Sequence, residues 1–265
     1  MSLDRILDNL AEHVRHRLEE GERSVEMNPA VLQSLRQPVR LAAQPPSPNV
    51  PRSHGPTVPQ SHSPNVPQPP SLAAIAHRIA TCQTCRLGKT RTCTVPGQGN
   101  PHPELVFVGE GPGEDEDAQG LAFVGRAGQL LTRMIIAMGL TREEVWIGNV
   151  VKCRPPDNRV PEPDEMAACL PFLREQLAVL KPKVIVALGA TAVKGLVNTQ
   201  TGITKLRGHW LNFAEIPLMP TFHPAYLIRG GGDEKARYWD VWEDMCTVLK
   251  RLGRPVPERN KPPAA

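Results

Sequence analysis

Leu105–Gln129 reads LVFVGEGPGEDEDAQGLAFVGRAGQ. The apolar run Leu105–Val108 ends in Gly109-Glu110-Gly111-Pro112-Gly113, and a strand that stops in glycines lets its backbone approach a ligand closely. Four acids follow, Glu114 to Asp117, then the aromatic Phe123, and a second small-residue turn, Gly125–Gly128, opens a helix. Carboxylates repel phosphate, so this is not a dinucleotide or nucleoside-triphosphate loop. The stretch predicts a pocket for a neutral, flat ligand, with acids available for a water or a developing cation.

Downstream, strands and helices alternate. Helix Ala127–Met138 is followed by strand Val145–Val151, helix Asp164–Leu180, the continuous apolar strand Lys183–Leu188 and helix Thr191–Val197. A hairpin over Gly202–Phe213, a strand at Ile216–Met219 and a last helix, Lys235–Leu252, complete the series. Such alternation predicts an α/β fold, a parallel sheet with helices on both faces. Open parallel sheets bind ligands beyond the carboxyl ends of their strands. Glu110–Asp117, Asn149 and the Thr221–Tyr226 segment, with His223, all fall at such ends. An amide matches a base edge carrying one donor and one acceptor. An aromatic stacks on a base. An imidazole donates to an oxygen gaining charge, and a carboxylate positions water or stabilises a sugar cation. Together they describe hydrolysis of an N-glycosidic bond. Each also has a plain structural reading: a strand-end amide, a turn histidine, a core Phe, acids at a helix N-terminus.

Upstream, Ser71–Ala80 reads as a short helix with a Ser cap. Cys82-Gln83-Thr84-Cys85 follows, with Cys93 beyond; Cys153 and Cys169 come after the second strand. Four thiolates could close a zinc tetrahedron or hold an iron–sulfur cluster. Zinc is the first guess from spacing alone, and Cys93 could replace one ligand. Cys246 reads as a buried thiol on the last helix. The role expected of such a site is structural, a staple near the cleft.

Residues 1–70 are of another kind. Leu3, Ile6, Leu7, Leu10, Val14 and Leu18 have helical spacing, so residues 1–43 predict a helical extension that docks on the main domain, self-associates or binds a protein partner. Residues 44–70 hold ten prolines and three loose octads (45–52, 53–60, 61–68), an extended linker. Residues 253–265, with four prolines, predict a disordered tail. The net charge of +4 permits nucleic-acid binding without establishing it. No apolar run is long enough to span a membrane and the first residues are too charged for a secretory signal, so a cytoplasmic protein is expected.

GEGPGEDED with GLAFVGRAGQLL, GNVVKCRPPDNRVPEPDE, VIVALGATA, ITKLRGHW and TFHPAYLIR closely resemble, from about Ala76 to Leu252, the family-4 iron–sulfur uracil-DNA glycosylases. The resemblance implies a three-layer α/β/α sandwich around a mostly parallel four-stranded sheet in residues 71–252. It implies a [4Fe–4S] cluster on Cys82, Cys85, Cys153 and Cys169, and excision of uracil from single- or double-stranded DNA by a monomer. Glu110, Gly111 and Pro112 would line the uracil pocket, Phe123 would stack, and Asn149 would read the base edge. His223 would hydrogen-bond the carbonyl and stabilise the leaving anion, and Glu116 or Asp117 would handle water or the sugar cation. Lys152, Arg154, Arg159, Arg207 and Arg229 are candidate DNA-backbone contacts. Ala225–Ile228 could wedge into the gap left by a flipped base. A sister family lacks the acids kept here. Another cross-links to DNA through a histidine on an inserted loop that Arg154–Arg159 does not provide, so turnover is expected.

Overall fold

The central strand β2 (Leu105–Gly109) is buried along its whole length, and its side chains alternate between two cores. Leu105 and Phe107 face one core; Val106 and Val108 face the other. That alternation is what a strand covered on both sides requires. In the computed structural model, which describes residues 71–228 and 234–258, β2 sits in a six-stranded sheet. The others are β1 (Gln98–Gly99), β3 (Trp146–Asn149), β4 (Val184–Leu188), β5 (Leu211–Phe213) and β6 (Ile216–Thr221), in the order β1-β3-β2-β4-β6-β5. The four inner strands are mutually parallel, as expected. Two edge strands, β1, which the sequence does not announce, and β5, which falls within the expected hairpin, pair antiparallel with their neighbours. β1 is two residues long, too short for a periodic signal.

The helices, in chain order, are α1 (Leu72–Ala80), α2 (Glu114–Gln119), α3 (Arg126–Ala137), α4 (Pro163–Leu180), α5 (Gly189–Val197), α6 (Ile203–Leu206), α7 (Pro224–Ile228) and α8 (Glu234–Arg251). Side chains of α3 and α8 fill one core; those of α4 and α5 fill the other. Ser71 caps α1, its hydroxyl accepting from Ala74 N–H at 3.2 Å. The expected hairpin lies later than predicted. Its turn is Ala214-Glu215, both with positive φ (45° and 67°), and it joins β5 to β6. Ile203–Leu206 forms a helical turn instead.

The end of the domain also differs from the expectation of a tail disordered from residue 253. Arg254 pairs with Glu104 at 3.0 Å and Glu144 at 3.7 Å, and Val256 packs against the core. The helix expected in residues 1–43, the linker 44–70, Arg229 and residues 259–265 lie outside the described residues. No helix among the described residues is long and apolar enough to cross a membrane.

Candidate nucleobase cleft and cysteine corner

The parallel register brings the strand ends level. Gly109 is paired with Asn149, and Leu188 with Thr221. The chain leaves β2 through α3 for β3 on one side, then crosses through α4 to β4 on the other, so the cleft opens at a topological switch point. Glycine is required at its floor. A Cβ on Gly109 would lie 2.5 Å from both Asn149 Oδ1 and Phe123 Cζ. Gly189, at φ +86°, lets His223 approach; a Cβ there would be 3.0 Å from the His223 Cβ. Beyond the sheet, Val150 N–H donates to Gly109 O and Val151 N–H to Glu110 O, which fixes the Glu110-Gly111-Pro112 turn beside β3.

Three side chains meet here. Asn149 is 1% exposed, and its Oδ1 is fully buried with no hydrogen-bond partner. A buried acceptor left unmade costs about 1–3 kcal/mol, so a ligand that donates to it recovers that free energy. The Phe123 ring lies 5.8 Å from the His223 ring, tilted by 34°. His223 Nδ1 accepts from Ala225 N–H at 3.1 Å. In the neutral imidazole this places the remaining proton on Nε2, the nitrogen able to donate. A cleft of about 300 Å³ adjoins His223, walled by Gly189, Ala190, Ile203, Thr204, Phe222 and Tyr226. In the segment expected to wedge, Leu227 is buried in the core and Tyr226 is exposed, with Arg237 over its ring at 4.7 Å.

Phe123 holds φ 54°, a left-handed conformation that costs a bulky side chain roughly 1–2 kcal/mol. The two acids expected to handle water hold the surrounding backbone instead. Glu116 Oε1 accepts from Val124 N–H (2.9 Å) and Gly125 N–H (3.0 Å), and its Oε2 from Gly113 N–H (3.1 Å). Asp117 is buried; both its oxygens accept from Thr92 N–H at 3.0 Å, and Cys93 N–H adds a third bond at 3.4 Å. The acidic run forms the first turn of α2, so the plain reading of a helix N-terminus is the one its geometry matches.

Three of the expected phosphate contacts are committed elsewhere. Lys152 is buried; its ammonium donates to Asn149 O at 2.8 Å and lies over the Trp146 ring, and burial pushes it down to about 8. Arg159 pairs twice with the buried Glu165. Arg207 pairs with Asp244 at 2.9 Å and Asp240 at 3.3 Å. These positions read as basic residues next to motifs, and a sequence does not show which bases have buried acids to pair with. Arg154, 3.7 Å from Glu114, is half-buried and donates to Asn158 Oδ1 at 2.8 Å.

On the far side of β3, Cys82, Cys85, Cys153 and Cys169 line one pocket with Arg91, Lys152 and Phe172. Cys93 is not part of its wall. Arg91 donates to Cys153 Sγ at 3.2 Å and Lys152 N–H to Cys169 Sγ at 3.3 Å. Burial pushes the Cys169 thiol up to about 11 and raises that of Cys153, the second against the opposing pull of Arg91. Cys246, half-buried, packs against the α8 side of the core.

Residues 96–246 match the family model of the uracil-DNA glycosylase superfamily. A type-4 uracil-DNA glycosylase of Thermotoga maritima is 50% identical over 175 residues, covering 64% of this chain and 89% of that protein. Its counterpart from Sulfurisphaera tokodaii is 48% identical over 164 residues, 58% of this chain and 74% of that protein. The one from Saccharolobus solfataricus is 44% identical over 164 residues, with 58% and 76% covered. The chain therefore belongs to the uracil-DNA glycosylase superfamily and, within it, to the type-4 group.

Proposed function

We propose that residues 71–252 excise uracil from DNA by hydrolysing its N-glycosidic bond, leaving an abasic site for repair. The observation that carries this reading is the buried, unpartnered Asn149 Oδ1 beside the Phe123 ring. Uracil N3–H would donate to it and the Asn149 amide N–H would donate to O4. Cytosine presents the reverse pattern at those atoms and is rejected. Phe123 would stack on the base. His223 Nε2–H would donate to O2 as the C1′–N1 bond breaks and the ring gains negative charge. Because the leaving anion is stabilised, bond breaking runs ahead of water attack, which lowers the demand for a base on water. Extruding the nucleotide from a duplex costs a few kcal/mol; stacking and the two amide bonds offset part of it. Tyr226 is exposed beside the cleft and would fill the gap in the stack.

Cys82, Cys85, Cys153 and Cys169 would hold a [4Fe–4S] cluster. The donor set fits: four thiols line one pocket, although no three His, Cys, Asp or Glu side chains among the described residues stand close enough to ligate a single metal ion. The bound group would supply a four-point cross-link between the chain before β2 and the segment after β3. Iron and acid-labile sulfide in the purified protein test this. For the reaction, a labelled oligonucleotide with one uracil is incubated with the full chain and then treated with alkali. Cleavage at uracil and not at thymine or cytosine supports the reading; intact strands from folded protein that binds the DNA would point to a binding module.

A further inference from the structure

We infer that Arg142 is a positioning residue for base stacking, a reading that rests on uracil being the ligand of the cleft. Arg142 lies in the loop between α3 and β3, and it takes no part in the base contacts proposed above. Its guanidinium donates to Phe123 O at 3.1 Å and Ala122 O at 2.8 Å, and to Thr132 Oγ1 at 2.9 Å. The Thr132 hydroxyl in turn donates to Gly128 O at 3.0 Å, so the guanidinium is anchored to α3. On the other side of Phe123, the next two amides, Val124 N–H and Gly125 N–H, both donate to Glu116. Two carbonyls are therefore held by a cation and two amides by an anion, with Phe123 between them. Gly128 closes the device: a Cβ there would lie 2.0 Å from the Phe123 carbonyl.

A bulky residue stays at positive φ only where its surroundings over-determine it. Release of the carbonyl side would let Phe123 relax to negative φ, and its ring would leave the place it holds next to Gly109 and Asn149. The clamp fixes the stacking surface before the base arrives, so no ordering cost falls on binding. Lysine replaces the guanidinium only in part, because a single ammonium nitrogen does not reproduce the fork in which two guanidinium nitrogens serve three acceptors.

The test is a cycle of four full-length proteins: wild type, Arg142→Met, Phe123→Ala and the double variant. Each is assayed for affinity to free radiolabelled uracil and for single-turnover release from DNA, with thermal melting as the check on folding. Arg142→Met is expected to weaken uracil binding roughly tenfold, within the range that base–aromatic stacking contributes. In the Phe123→Ala background the same change should cost less than about twofold, because contacting residues are not additive. Wild-type affinity in Arg142→Met would overturn the inference. So would an equal loss in both backgrounds, which would mark Arg142 as merely structural. Should Arg142→Met not fold, Arg142→Lys carries the same cycle with an intermediate loss expected. Wild-type protein that binds uracil without releasing it from DNA would sink the glycosylase reading, while the affinity cycle still decides the clamp. Protein that neither binds nor releases uracil would overturn both.

Discussion

The nucleobase cleft and the cysteine corner lie on the two sides of β3, joined by the four peptide bonds from Asn149 to Cys153. They are built on opposite plans. In the cleft, the protein's own charges hold the loops: Glu116 and Arg142 fix the backbone around Phe123, Asp117 ties down residues 92–93, and one buried acceptor, Asn149 Oδ1, is left unmatched. In the corner, the donors come from three distant segments, at 82–85, 153 and 169, with Arg91 and Lys152 as the cations among them. The first region is shaped before its ligand arrives. The second relies, in our reading, on a bound group to join its segments. Lys152 connects them, its backbone N–H on Cys169 Sγ and its ammonium on Asn149 O.

This contrast breaks or holds under specific changes. His223→Ala would remove the proposed donor to the leaving anion, and single-turnover uracil release should fall about 10²–10³-fold, the loss typical of one preorganised donor, with DNA affinity kept. Comparable rates in the two proteins would show that the cleft does not act through this imidazole. Cys153→Ser should strip iron and sulfide from the protein and lower its melting temperature by on the order of 10 °C, as a loss of a few kcal/mol does in a domain of this size. An unchanged melting temperature after iron loss would erase the difference between the two regions. Asp117→Ala leaves the Thr92 and Cys93 amides unpaired. It should cost about 2–4 kcal/mol in urea unfolding while uracil release per folded molecule stays within a few-fold; a large kinetic loss at unchanged stability would restore the acid to the chemistry.

The smallest effect is expected beneath the His223 loop. Asp244 accepts from Thr221 Oγ1 at 2.6 Å and pairs with Arg207. Burial raises its carboxyl from 3.8 to about 6, against the lowering pull of Thr221 and Arg207. A carboxyl whose folded value lies above its unfolded one contributes stability that is fully present below pH 3.8 and is lost as pH rises through about 6. Urea unfolding of wild type against Asp244→Asn should therefore show the wild type losing ground by on the order of 2 kcal/mol across that window. A difference independent of pH would contradict the burial argument.

The parallel core was legible because apolar runs such as Leu105–Val108 and Val184–Leu188 announce strands covered on both faces. The placement of Asn149 and His223 at one edge of the sheet was legible because strand ends in such a sheet converge. What the sequence hid was pairing. Glu116 and Asp117 read as available acids, yet each binds amides of a loop outside α2, and nothing in a linear pattern shows an N–H in need of an acceptor. Arg142 was missed for the same reason: its partners are backbone carbonyls some twenty residues upstream. Lys152 read as a candidate backbone contact because the sequence does not show that its ammonium turns inward to Asn149 O.

The most direct test of the account is Asn149→Ala, assayed for uracil release and for affinity to an uncleaved uracil-containing DNA in the same folded preparation. Release should fall by orders of magnitude, with DNA affinity changed only a few-fold, because the orphan acceptor would read the base and not the strand. Equal loss of both, or release at the wild-type rate, would contradict it.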